Sequence, residues 1–180
     1  MNSPIIASIT NEEQLSHVWD APLTRVILMT GDITTLGGIV SKLHSMDKQV
    51  YVHMEMVNGL GRDASAVHFI AREFGVDGIV TTKSHIIAAA RQAGIRSVQR
   101  VFAIDTAAVE TGIRLTGTSK PDEVELMPGL MPRIIREVKA KVNRPLIVGG
   151  LIRYEEEIQE ALNSGADYVS VGHPSFWKQR

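Results

Sequence analysis

The feature that most restricts what this chain can fold into is a repeat. Eight short apolar runs follow one another along it, each trailed by a segment with helical spacing. The runs are "PIIASI", "RVILMT", "QVYVHME", "DGIVTT", "RSVQRVF", "DEVELM", "PLIVGG" and "DYVSVG". Between and after them lie "NEEQLSHVW", "TLGGIVSKLH", "DASAVHFIAREFG", "SHIIAAARQAG", "TAAVETGIRLTG", "LMPRIIREVKAK", "YEEEIQEALNSG" and "PSFWKQR". Val67, Ile70 and Phe74, and again Ile158, Ala161 and Leu162, fall at helical spacing. Gly75, Gly94 and Gly165 stand where a helix should stop before the next strand. The units recur about every 18 to 28 residues. Near-continuous apolar strands joined through helices make a parallel sheet buried on both faces. Eight of them predict an α/β fold of one kind, a small closed (β/α)8 barrel of the TIM type. At 180 residues the barrel falls below the roughly 200-residue lower end of that fold, so its loops must be short. The alternative is an open doubly wound sheet, with fewer strands and often a glycine-rich turn after the first. The first turn here, "ASITNEEQ", has no glycine, and the number of units favours the barrel. No linker or low-complexity segment interrupts the chain, which reads as one domain over 1–180.

Composition narrows the function classes. Lys plus Arg total 19 against 20 Asp plus Glu, so there is no general bias toward polyanions or membranes, and any nucleic-acid surface must be a local patch. Cysteine is absent, which removes disulfides, thiolate metal sites and thiol nucleophiles together. The start, "MNSPIIASITNEEQ", lacks a basic segment followed by a long apolar run, and no apolar stretch approaches the roughly 18 residues of a membrane helix. A cytoplasmic protein is expected.

The stretch "RPLIVGGLIR" places Gly149 and Gly150 at the end of the seventh strand. Two adjacent glycines sacrifice chain entropy and add no packing surface, so something must approach the bare backbone. In barrels a phosphate often sits over the loops after strands seven and eight. Gly149, Gly150 and the adjoining Leu151, with Gly172, His173 and a helix beginning near Pro174, would offer backbone N–H groups to an anion, and Ser170 a hydroxyl. The alternative is a pair of tight turns.

Other strand ends gather polar groups. Alternation in "QVYVHMEM" puts Tyr51, His53 and Glu55 on one face, and "DEVELMPG" does the same with Glu123 and Glu125. "QRVFAID" adds Gln99, Arg100 and Asp105, and "GIVTTKS" ends in Thr82 and Lys83. Buried carboxylates are rare unless paired, so Glu55 and Glu125 are expected to meet Lys83, Arg100 or a ligand hydroxyl. These residues either line a ligand pocket or form an internal salt-bridge layer closing the barrel. There is no HExxH helix, Walker loop or GxSxG elbow, and the six histidines are scattered, His17, His44, His68 and His85 among them falling on helices. No metal site or cofactor is expected. The remaining catalytic option is Lys83 as a Schiff-base or proton-transfer group, with Glu55 or Glu125 as acid or base.

The segments "LMTGDITTL", "VHMEMVNGLGRD", "DGIVTTKSHIIAAARQAGIRSVQRVFAIDTAAVE", "ELMPGLMPRIIREVK", "PLIVGGLIRYEEEIQEALNSGA" and "VSVGHPSFW" resemble the glycerol-3-phosphate responsive antiterminator family, the glycerol uptake operon antiterminator regulators. The likeness covers nearly the whole chain in order. It implies a (β/α)8 regulator, not an enzyme, that senses glycerol 3-phosphate and acts on the leader mRNA of a glycerol-utilisation operon to prevent termination. Under it Gly149, Gly150, Gly172 and His173 hold the phosphate, and His53, Glu55, Lys83, Arg100 and Glu125 read the glycerol or shape the pocket. The same pocket would serve a phosphosugar or phosphotriose enzyme of lyase or isomerase type, which stands as the alternative. No aromatic-rich module for stacking bases is present. The strongest basic patch is "MPRIIREVKAKVNRP", where Arg133, Arg136, Lys139, Lys141 and Arg144 face one acid, Glu137. It is either an RNA contact or an ordinary solvated helix. A homo-oligomer would double that surface, and a family member that kept the fold without RNA recognition fits the lack of net positive charge.

Overall fold

The computed structural model describes residues 3–178. Eight parallel strands close into a barrel in sequence order, β1 (Ile5–Ile9), β2 (Arg25–Leu28), β3 (Gln49–His53), β4 (Gly78–Thr81), β5 (Arg96–Phe102), β6 (Glu123–Met127), β7 (Leu146–Gly149) and β8 (Tyr168–Val171). The ring closes where β8 pairs with β1, Ile6 opposite Ser170. The helices alternate with the strands: α1 (Leu15–Val18), α2 (Ile33–His44), α3 (Ala64–Phe69), α4 (Ser84–Ala93), α5 (Thr106–Ser119), α6 (Pro132–Lys141) and α7 (Glu155–Asn163). α3 runs on into a π-helical turn, Ile70–Phe74, and a 3-10 turn, Pro174–Lys178, follows β8. The expected helix "PSFWKQR" is thus a short turn as far as it is described, and its last two residues lie outside the described part.

Strand alternation sorts the apolar residues into two cores. Ile6, Ile27, Tyr51, Val80, Val98 and Ile147 meet inside the barrel, while their neighbours along the strands, such as Ala7, Val26, Val52, Ile79, Val124 and Val148, pack outward under the helices. Short loops are made possible by compact caps. Asp32, Asp63 and Asp105 each accept a backbone N–H at the start of α2, α3 and α5, and Gly75 and Gly94 end helical segments in the left-handed conformation. At the N-terminal end of the barrel Lys48 is buried and donates to the carbonyls of Ala21 (2.8 Å) and Leu23 (3.1 Å), tying two connections together. At the C-terminal end the β2α2 and β3α3 loops are joined by Ile33 N–H to the Asn58 carbonyl and Asn58 N–H to the Gly31 carbonyl. Trp177 closes the last turn, buried and donating to the Val171 carbonyl at 2.9 Å. Among the described residues no helix is long and apolar enough to cross a membrane.

Candidate functional site

The inward positions of the strands form polar layers at both ends of the barrel. Near the N-terminal end Arg25 makes two hydrogen bonds to Glu123 (2.8 and 3.0 Å) and lies over the rings of Tyr51 (5.0 Å) and Tyr168 (4.8 Å). This closes the floor, so Tyr51 and Glu123 serve the barrel rather than a ligand. Toward the C-terminal end Arg100 Nε donates to Glu125 Oε2 at 2.8 Å, and Ser170 Oγ donates to Glu125 Oε1 at 2.9 Å. Glu125 is completely buried, so both of its oxygens need these partners. The expected pairing of Glu125 with Arg100 is present.

Glu55 is held differently. It sits just beyond β3, and its Oε1 accepts from the Thr81 hydroxyl (2.6 Å), the Thr82 backbone N–H (3.0 Å) and the Thr82 hydroxyl (3.1 Å). Its other oxygen, Oε2, is buried with no hydrogen-bond partner among the described residues. His53 Nδ1 lies 3.5 Å from that oxygen, near enough for attraction but outside hydrogen-bond geometry, and both ring nitrogens of His53 are likewise buried without partners. His53 is only 3% exposed. Burial, then the positive charge of Arg100, pushes its pKa down to about 4 against the pull of Glu55 and Glu125, so the ring is neutral near pH 7. Burial pushes the Glu55 carboxyl up, but the Thr81 and Thr82 hydrogen bonds and His53 outweigh it and leave it below its ordinary value. Ser8 Oγ, on the inward face of β1, is a further buried hydroxyl without a partner. Buried polar groups are satisfied in most folded proteins, so the four atoms of Ser8, His53 and Glu55 without partners stand out among the described residues.

Other expected site residues lie elsewhere. Lys83 is the N-cap of α4 on the half-buried rim, its N–H bonded to Thr81 Oγ1 at 3.0 Å; among the described residues its ammonium pairs with neither Glu55 nor Glu125. Asp105 is exposed and spends its carboxylate on the Ala108 N–H, capping α5 (2.8 Å). Gln99 faces outward to Ser84 and Ser119.

The bare backbone at Gly149 has a different cause from the one expected. A Cβ there would lie 2.0 Å from Ser170 Oγ and 2.8 Å from the Ser170 carbonyl. What comes so close is the next strand, carrying the hydroxyl that serves Glu125. Gly150 is needed for its conformation, φ +87°, and Leu151 follows at φ +64° with its side chain 68% exposed. The Gly150 carbonyl accepts from Gly129 N–H at 3.0 Å, joining the β6α6 and β7α7 loops. Across from this turn Gln14 donates to the Gly172 carbonyl at 2.6 Å. Pro174 does open a helical turn, but His173 caps it: Nδ1 contacts Ser175 Oγ (2.7 Å) and accepts Ser175 N–H (3.3 Å), and the His173 carbonyl accepts Phe176 N–H (3.2 Å). Two of the N–H groups expected to face an anion are therefore already occupied.

The basic segment does not present one face. Arg133 pairs with Glu137 (2.7 Å), Arg136 reaches Ser164 (3.1 Å) and Lys139 reaches Asp167 (2.5 Å), while Lys141 and Arg144 lie exposed at the opposite end of α6. Helical geometry spreads Arg133, Arg136, Lys139 and Lys141 around and along α6, Arg144 lies beyond its end, and three of the five cations are spent on neighbours. Among the described residues no group of three or more His, Cys, Asp or Glu is placed to hold a metal ion.

The sequence model of the family described as glycerol-3-phosphate responsive antiterminator matches residues 5–177. The chain belongs to that family. A structure from Listeria monocytogenes, a glycerol uptake operon antiterminator regulatory protein, superposes on this family member with a TM-score of 0.95 at 30% identity, covering 100% of this chain and 97% of the other. A glycerol uptake operon antiterminator-related protein from Thermotoga maritima superposes with a TM-score of 0.87 at 33% identity, covering 99% of this chain and 100% of the other. The uncharacterized protein YgcP of Escherichia coli is 29% identical over 175 residues, 97% of this chain and 92% of YgcP. As a member of the antiterminator family the chain has the expected barrel, and its orphaned polar atoms stand at the strand ends where barrels bind ligands.

Proposed function

We propose that this protein is an antiterminator regulator of a glycerol-uptake operon that binds glycerol 3-phosphate in the mouth of its barrel and engages leader mRNA in response. The observation that carries the reading is the pair His53 and Glu55: Oε1 of Glu55 is held by Thr81 and Thr82, while its Oε2 and both ring nitrogens of His53 are buried without a hydrogen-bond partner among the described residues. They suit the hydroxyls of a small polyol. The phosphate is assigned to the turn at Gly150 and Leu151, facing Gly172 and His173, since phosphates in this fold favour the loops after strands seven and eight. Ser170 and Gly149 belong to the wall beneath it, and Arg100 with Glu125 forms the floor of the pocket. Lys83 and Asp105 lie on the rim and contribute position rather than contact.

A ligand biases an RNA-competent state only by its differential affinity for that state, and the coupling is reciprocal. Fluorescence anisotropy of labelled leader RNA, titrated with protein at fixed salt, tests this. Glycerol 3-phosphate should tighten RNA binding by the factor by which RNA tightens ligand binding, and affinity should fall steeply as salt rises. Equal RNA affinity with and without ligand would remove the switch.

A second reading is carried by the same pair. A neutral buried imidazole 3.5 Å from a carboxylate is also how an enzyme would arrange proton transfer on a phosphorylated sugar. Turnover of glycerol 3-phosphate or a triose phosphate, lost in His53→Asn, would establish that reading instead.

A further inference from the structure

Glu55 sets what the bound polyol must look like at one carbon. We propose that its free carboxylate oxygen selects a phosphorylated alcohol over the ketone phosphate formed by oxidising that alcohol, by demanding a hydrogen-bond donor where the ketone has only an acceptor. This inference rests on the reading of the barrel mouth as a glycerol 3-phosphate site.

Three donors converge on Oε1: the Thr81 hydroxyl, the Thr82 amide and the Thr82 hydroxyl. They fix the carboxylate plane and leave Oε2, buried and 3.5 Å from His53 Nδ1, without a hydrogen-bond donor among the described residues. An ionised carboxylate accepts and never donates. An alcohol turns its O–H toward Oε2 and satisfies it. A carbonyl at the same carbon brings a second set of lone pairs to an anionic oxygen, which then stays desolvated and unpaired. His53 tolerates the alcohol on either side, because a neutral imidazole has one N–H donor and one acceptor nitrogen. The polyol phosphate and its ketone carry the same phosphate and nearly the same volume, so charge and shape separate them poorly. The donor requirement separates them sharply, since sites built to bond a hydroxyl reject analogues lacking it far more strongly than apolar pockets reject a missing methylene. A receptor with this site reports the reduced compound and falls silent as an oxidoreductase reaction converts it to the ketone.

The substitution Glu55→Gln inverts the demand in a predictable orientation. The Thr82 backbone N–H requires an acceptor, so the amide oxygen takes the place of Oε1 and the NH2 group takes that of Oε2. A donor then faces the ligand.

Isothermal titration calorimetry of the full chain with sn-glycerol 3-phosphate and with dihydroxyacetone phosphate, for the wild type and for E55Q, decides the matter. The wild type should prefer glycerol 3-phosphate by at least about tenfold, and E55Q should narrow that ratio by at least about tenfold, with dihydroxyacetone phosphate gaining affinity. A wild-type ratio within about twofold would overturn the inference while leaving the glycerol 3-phosphate site in place, and so would an equal loss of both ligands in E55Q. Binding of neither compound by the wild type would overturn the glycerol 3-phosphate reading, and this inference with it. Should E55Q fail to fold, a wild-type ratio within about twofold still overturns the inference.

Discussion

The substitution Gly149→Ala separates two explanations of the paired glycines. The added Cβ would stand 2.0 Å from Ser170 Oγ, 2.8 Å from the Ser170 carbonyl oxygen and 3.3 Å from its Cβ. Ser170 can relieve the first contact only by rotating, which takes its hydroxyl from Glu125, a carboxylate with no access to water. Losing a hydrogen bond to a buried charged group costs about 1.5–3 kcal/mol. The carbonyl cannot rotate, so β7 and β8 must also part by several tenths of an ångström, an overpacking cost of about 1–3 kcal/mol. Together these give a destabilisation of about 2.5–6 kcal/mol, a large share of the roughly 5–15 kcal/mol that holds a typical domain folded. Urea unfolding followed by the fluorescence of Trp19 and Trp177 measures it. Combining the change with Ser170→Ala should cost less than the two single changes added together, because both remove the same hydrogen bond. Stability within about 1 kcal/mol of wild type, with glycerol 3-phosphate affinity lost, would refute this reasoning and return Gly149 to the phosphate.

Two further outcomes are expected. Arg100→Met should destabilise by about 3–5 kcal/mol because it strands Glu125 in the interior, and adding Glu125→Leu should recover most of the loss, both read from urea midpoints. Stability should also fall in acid: His53 holds a pKa of about 4 in the folded chain against 6.5 ordinarily, so between those values the unfolded chain carries the extra proton. Full stability is therefore present above about pH 6.5 and declines by about 3 kcal/mol as pH drops to 4 and below, with the lowered Glu55 carboxyl adding loss in the same direction; His53→Asn should flatten the part between pH 6.5 and 4 in urea titrations.

The barrel was legible because each strand and helix announces itself through apolar runs and helical spacing, and the eightfold count leaves few alternatives. His53, Glu55 and Glu125 were legible because "VHME" and "VEL" alternate cleanly, so their phase shows which residues turn inward. Ser8 was not, because "IIASI" is apolar on both sides and its alternation carries no phase; only pairing with β2 and β8 reveals that Ser8 follows Ile6 inward. Thr81 lies on the outward phase of β4 and reaches Glu55 only where the strand ends. Asp105 begins "DTAAV", the pattern of a helix cap, and its exposure in the structure follows from that task. Gly149 answers to Ser170, a residue far along the chain, and no local pattern exposes such a demand. The cations after Met131 form a cluster in the linear chain and disperse once wound into α6, where Ser164, Asp167 and Glu137 claim three of them.

The proposed receptor site for glycerol 3-phosphate in the barrel mouth can be tested by direct binding. A phosphorus NMR titration of that compound against near-stoichiometric protein tests it most directly. A shifted or broadened phosphate resonance with no new signal, abolished when Gly150→Asp places a carboxylate in the turn, is the predicted result. An unperturbed resonance, or the growth of a product signal, would contradict the account.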